Sequence, residues 1–121
     1  MKRILLADDE EVLRMLIVDT LEDEGYEIDE AEDGREALEK AGSGDYDLII
    51  LDYMMPEYTG IEVAKQIRNM DSHQDIQILM LSAKNQQSDI ETSQEAGINY
   101  YMAKPFSPLQ LLDLVEEILN A

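Results

Sequence analysis

Five residues of this chain have side chains fit for chemistry and share one kind of position. Asp8 and Asp9 follow the apolar run Ile4-Leu5-Leu6-Ala7, and Asp52 follows Leu48-Ile49-Ile50-Leu51. Ser82 follows the run from Ile76 to Leu81, and Lys104 the run from Ile98 to Ala103. Carboxylates that meet at one place repel one another and raise each other's pKa. A hard divalent cation relieves that repulsion, and Mg²⁺ takes one or two carboxylates together with waters and phosphate oxygens. A carboxylate beside such an ion can attack phosphorus and form an aspartyl phosphate. The rest of phosphoryl transfer is positioning and charge neutralisation. Lys104 offers a fixed positive charge for that purpose, and Ser82 offers a hydroxyl donor.

These residues can meet only if the runs that precede them are neighbouring strands. Ile4 to Ala7 and Tyr46 to Leu51 are continuous and apolar enough for strands buried on both faces. Ile76 to Leu81 reads the same way, and Ile98 to Ala103 is a shorter strand. Tyr26 to Ala31 alternates polar with apolar, as an edge strand does. Between the runs lie helical patterns. The first extends from about Glu10 to Glu24, with Leu13, Leu16, Ile17 and Leu21 on one side and Gly25 as its stop. Others cover about Arg35 to Ala41, Ile61 to Asn69 and Gln86 to Ala96. Ser107 as N-cap and Pro108 in the first turn open the last helix, whose stripe is Leu111, Leu112, Val115, Ile118 and Leu119. Five strands alternating with five helices predict an α/β fold, a doubly wound parallel sheet covered on both faces. Function in such sheets gathers at the carboxyl ends of the strands, where the five residues stand.

Composition narrows the function classes. The chain has 121 residues, enough for one domain over 1–121, and 45% of them are apolar. Its 28 acids and 9 bases give a net charge of −19, which disfavours direct contact with nucleic acid or an anionic membrane. Residues 1–62 hold 20 of the acids and 5 of the bases, so a partner meets less charge on the second half. A solvated surplus of acid, or a halophilic host, would give the same asymmetry. No apolar run is long enough to span a bilayer. The absence of cysteine excludes a disulfide framework and suits a cytoplasmic protein.

The ordered set of motifs resembles the response-regulator receiver domains of bacterial two-component signalling, stand-alone chemotaxis regulators in particular. The residues that carry the resemblance are Asp8-Asp9, Asp52-Tyr53-Met54-Met55-Pro56 with Gly60, Ser82-Ala83 and Lys104-Pro105-Phe106. It spans the whole chain, and it implies a flavodoxin-like strand order of 2-1-3-4-5. The same likeness implies that Asp52 accepts a phosphoryl group from a sensor histidine kinase or phosphotransfer protein. Asp9 would ligate Mg²⁺ directly and Asp8 through water, with the backbone carbonyl of Met54 as a further ligand. Ser82 and Lys104 would hold the phosphoryl oxygens. Tyr101 would be an aromatic switch coupled to Ser82, and Met54 and Lys84 would set the lifetime of the phosphorylated state. A downstream protein would dock on helix 4, strand 5 and helix 5, roughly Gln86 to Leu119. The Lys104-Pro105 bond would be cis, and no output domain is expected within the sequence.

Plainer readings stand beside these. Asp8 and Asp9 could cap the first helix, Lys104 could form a structural ion pair with Asp52, and Tyr101 could be packing. His73 reads as a solvated loop residue, and most of the seven methionines read as core filler. An Asp-nucleophile phosphohydrolase of the haloacid-dehalogenase type would need an acid at Met54. A flavodoxin-type flavin domain would need a phosphate cradle where Asp8-Asp9-Glu10-Glu11 stands. A degenerate receiver that only docks would not need the complete set.

Overall fold

The computed structural model describes residues 2–70, 75–83 and 87–120. Along the chain run β1 (Arg3–Ala7), α1 (Glu11–Glu22), β2 (Glu27–Ala31), α2 (Gly34–Ser43) and β3 (Leu48–Asp52). They are followed by α3 (Gly60–Arg68), β4 (Gln77–Ser82), α4 (Gln87–Glu95), β5 (Tyr100–Ala103) and α5 (Pro108–Leu119). The strands form one parallel sheet in the order β2-β1-β3-β4-β5, as expected, with β2 at an edge.

Strand side chains alternate between the two faces, so each strand feeds two cores. Leu5, Ala7, Ile49, Leu51, Ile78 and Met80 meet Ala37 and Ala41 of α2 and Ile61, Ala64 and Ile67 of α3. Ile4, Leu6, Leu48, Ile50, Leu79 and Leu81 meet Ile17 and Leu21 of α1 and Leu111, Leu112, Val115 and Ile118 of α5. Burial on both faces explains why β1, β3 and β4 are continuous apolar runs.

Local chemistry sets the ends of the elements. Ser107 accepts a hydrogen bond from Gln110 N at 3.1 Å while Gln110 Oε1 accepts from Ser107 N at 2.8 Å, so α5 starts where the sequence predicts. Thr59 and Glu62 build the same reciprocal cap on α3, and Asp33 caps α2. α1 ends at Glu22, two residues early, and the chain then turns through Gly25 at φ 93°. β3 begins at Leu48 instead of Tyr46, and the Tyr46 hydroxyl donates to Asp29 Oδ2 at 2.8 Å. Arg3 joins that corner, bonding Asp29 at 2.8 Å and lying 5.0 Å from the Tyr46 ring centre. β5 begins only at Tyr100, since Ile98 N bonds back to Ser93 O.

One packing expectation is corrected. Leu16, expected on the inner side of α1, is 47% exposed, and Arg14 is buried there with Ile17 and Leu21. Of the described methionines, Met55 and Met80 are buried and Met102 packs against a core as expected, whereas Met15 and Met54 face solvent. His73 lies outside the described residues.

Gly60 shows how tightly α3 is seated. A Cβ there would lie 2.5 Å from the carbonyl oxygen of Asp52 and 3.0 Å from Met80, and the carbonyl belongs to a strand that cannot yield. Gly60→Ala should lower stability by about 1–3 kcal/mol through overpacking, read as a lower urea midpoint at unchanged slope.

Candidate functional site

The strand ends deliver the candidate residues to one edge. Asp8 follows β1, Asp52 closes β3, Ser82 closes β4, and Lys104 follows β5. Lys104 N donates to Ser82 O at 2.8 Å, and Tyr53 N donates to Leu81 O at 2.9 Å, so the ladder persists up to the site. The Lys104-Pro105 bond is cis, as expected. Asp9, Glu10, Asp52, Tyr53, Met54, Ser82, Ala83 and Lys104 line an open cavity of about 370 Å³.

Charge in this cavity is out of balance. Lys104 Nζ lies 3.1 Å from Asp52 Oδ1, 3.3 Å from Glu10 Oε1 and 3.6 Å from Asp8 Oδ2. One ammonium therefore serves three carboxylates, and Asp8 and Asp52 are buried. Burial, then the nearby Asp8 charge, pushes the Asp52 carboxyl up to about 6, against the opposing pull of Lys104. Burial likewise raises Asp8, although the amide of Glu10 and the Lys104 charge oppose it. For Lys104 burial acts downward, but the attraction of Asp8 and Asp52 outweighs it and the net direction is up.

The donor set fits a hard cation. One carboxylate oxygen from each of Asp8, Glu10 and Asp52 lies within 4.8 Å of the others. Asp8 Oδ2 is buried and, among the described residues, accepts no hydrogen bond. A buried anionic oxygen facing two other carboxylates is short of positive charge, and a divalent ion would supply it.

The placement of single residues differs from the sequence reading in instructive ways. Asp9 is exposed and lines the cavity, but Glu10, not Asp9, joins Asp8 and Asp52 in the converged trio. Glu10 was legible only as the start of a helix; its one signal is an acid directly after the Asp8-Asp9 pair. Asp8 does not cap α1, for its Oδ1 accepts from Glu10 N at 2.9 Å, and Glu10 occupies the cap position without a side-chain bond. Met54 is 61% exposed at the cavity rim. Ser82 is buried at the cavity wall. Tyr101 packs against the α2 and α3 side of the sheet, and its buried hydroxyl has no hydrogen-bond partner among the described residues. Lys84 lies outside the described residues.

Comparison with known proteins gives the geometry its context. A family model described as response regulator receiver domain matches residues 4–116. The alkaline phosphatase synthesis transcriptional regulatory protein PhoP of Bacillus subtilis (strain 168) is 45% identical over 119 residues, 98% of this chain and 49% of that protein. The chain thus spans about half the length of the curated relatives it matches. Among solved structures, the chemotaxis response regulator CheY4 of Vibrio cholerae superposes with a TM-score of 0.94 at 36% identity, covering 98% of this chain and 99% of that one. The response regulator protein TrrA of Thermotoga maritima, in complex with Mg²⁺-BeF, gives a TM-score of 0.87 at 44% identity over 98% of this chain and 100% of that one.

The raised Asp52 pKa has a sign that can be tested. With a folded value of about 6 above the ordinary 3.8, the folded state holds the proton more tightly, so ionising Asp52 costs stability as pH rises through that window. In metal-free buffer, Asp52→Asn should unfold at higher denaturant than the parent at pH 7.5, by on the order of 1 kcal/mol. The gain should shrink as pH falls from about 6 toward 4, measured as paired urea curves.

Proposed function

The chain belongs to the response regulator receiver domain family, and from that premise we propose that Asp52 is its phosphoacceptor. Receiver domains of this family are phosphorylation-activated signalling modules of two-component response regulators, not conventional enzymes. The donor would be a phosphohistidine on a sensor histidine kinase or phosphotransfer protein. The observation that carries the reading is the convergence of buried Asp52, the Ser82 hydroxyl, the Lys104 ammonium and the acids Asp9 and Glu10 from four strand ends onto one open cavity, with buried Asp8 3.6 Å from Lys104 Nζ.

A carboxylate oxygen of Asp52 attacks phosphorus as the P–N bond breaks, and the electron pair of that bond returns to the departing imidazole. Mg²⁺ bound here would neutralise charge on the phosphoryl oxygens. Asp8, Asp9, Asp52 and the backbone carbonyl of Met54 would hold it, and Glu10 is placed to contribute. The Mg²⁺-BeF complex of the Thermotoga protein supports this reading at 44% identity. Lys104 exchanges a carboxylate for a phosphoryl oxygen, and the Ser82 hydroxyl donates to another. As Ser82 is drawn toward the phosphoryl group, space opens for Tyr101, whose hydroxyl has no hydrogen-bond partner among the described residues. The face that changes is α4, β5 and α5, where a downstream protein docks.

The proposed lack of nucleic-acid contact concerns the acidic surface of this chain alone, since relatives about twice its length are named transcriptional regulatory proteins. Among the described residues no helix is long and apolar enough to cross a membrane. The lack of cysteine supports a cytoplasmic setting. Of the two lifetime positions, Met54 stands at the cavity rim with an apolar side chain that shields phosphorus and orients no water.

Acetyl phosphate with Mg²⁺ should add one phosphoryl group by intact mass. Asp52→Asn or a chelator should abolish the addition, and Asp9→Ala should reduce it more than Asp8→Ala. Labelling of Asp52→Asn at the parent rate would refute the assignment. Met54→Asn combined with Lys84→Glu should shorten the phosphorylated lifetime by about tenfold, near 1.4 kcal/mol of barrier. Decay after removal of acetyl phosphate measures it.

A further inference from the structure

We infer that Arg14 is a positioning residue for the acidic cleft, acting through the peptide that joins Asp8 to Asp9. This rests on the reading of the cleft as a Mg²⁺ site. Arg14 lies on the inner side of α1, where helical periodicity calls for an apolar residue, and its side chain is only 8% exposed. A buried guanidinium in such a place needs a full set of acceptors. Arg14 Nη1 donates to the carbonyl oxygen of Asp8 at 2.7 Å, and Nε donates to Glu30 Oε1 at 3.0 Å. Nη2 lies 3.6 Å from Glu32 Oε1. The fork thus ties the end of β1 to the end of β2 and to the loop that follows it.

The bond to Asp8 completes the restraint of that residue. Asp8 N donates to Ala31 O at 3.1 Å, its Oδ1 accepts from Glu10 N at 2.9 Å, and its carbonyl accepts from Arg14. Among the described residues Oδ2 accepts no hydrogen bond, and it faces Lys104 Nζ at 3.6 Å. The Asp8 carbonyl and the Asp9 N–H share one peptide plane, so the Arg14 bond restrains the peptide from which both acids extend. Partners that orient metal-binding groups from behind are worth about 10–100-fold in affinity.

Charge and positioning make opposite predictions here. Arg14 is a cation near a cation site, so its neutralisation, acting through charge alone, would tighten Mg²⁺. Loss of positioning would weaken it. Mg²⁺ affinity is read by calorimetric titration of the unphosphorylated full chain, with no phosphoryl donor present. Arg14→Gln should weaken Mg²⁺ by about tenfold, and Arg14→Lys, which keeps the charge but lacks the fork, should weaken it as well. Glu30→Ala removes only the half-exposed partner of the guanidinium and should weaken Mg²⁺ by a smaller factor; Glu30→Gln, which retains an acceptor, should restore it. Unchanged or tighter binding in Arg14→Gln overturns the inference, as does a lower unfolding midpoint with unaltered affinity. If Arg14→Gln does not fold, the Glu30 pair decides, and equal affinity in Glu30→Ala and the parent is the overturning result. A parent chain that binds no Mg²⁺ would instead overturn the reading of the cleft itself.

Discussion

One ammonium facing three carboxylates is the constraint around which this structure is arranged. Lys104 cannot neutralise Asp8, Glu10 and Asp52 together, and two of the three are withheld from water. Left to themselves the acids would swing apart, because separation into solvent is the cheaper state for like charges. Rigid supports prevent it. β1 and β3 are adjacent strands buried on both faces, and the residues that end them have nowhere to go. The sheet therefore stores an electrostatic deficit at its carboxyl edge, and a cation or a change in charge at that edge releases it. A binding switch needs such a deficit, since a site already satisfied would respond to nothing.

The two cores divide the labour of holding that edge. The α1 and α5 side fixes β1 from below Asp8, while the α2 and α3 side brings Gly60 against the carbonyl of Asp52. Tyr101 belongs to the second core by packing, but it sits on the strand that leads into Lys104. Packing at Tyr101 and charge at Lys104 are thereby linked through three residues of one short strand.

Most of the fold was legible because its signals are local. Continuous apolar runs announce strands buried on both faces, and Ser107-Pro108 announces the start of α5 without reference to anything distant. Asp8, Asp52, Ser82 and Lys104 were legible for a related reason: a polar residue directly after such a run must stand at the sheet edge. Glu10 and Arg14 were not. Glu10 belongs to the site through a contact with Lys104, 94 residues away, and an acid at the start of a helix has an ordinary explanation. Arg14 was hidden because periodicity assigns four leucine and isoleucine residues to the inner face of α1, yet Leu16 turns outward and the guanidinium takes the interior position. Periodicity counts apolar residues; it does not show that a buried charge has acceptors waiting in another strand. The start of β3 at Leu48 was hidden likewise, since Tyr46 engages Asp29 and Arg3 of other strands.

That corner of Arg3, Asp29 and Tyr46 bears on the company the protein can keep. β2 is one of the two open margins of the sheet, and any parallel sheet invites a further strand at such a margin. Its five residues include Glu27, Asp29 and Glu30, and the Arg3 side chain that pairs with Asp29 comes from the neighbouring strand of the same molecule. A second copy approaching along this margin would set acid against acid, with the compensating cation already engaged. At this margin, therefore, charge opposes the pairing of a second acidic strand before backbone groups come within reach.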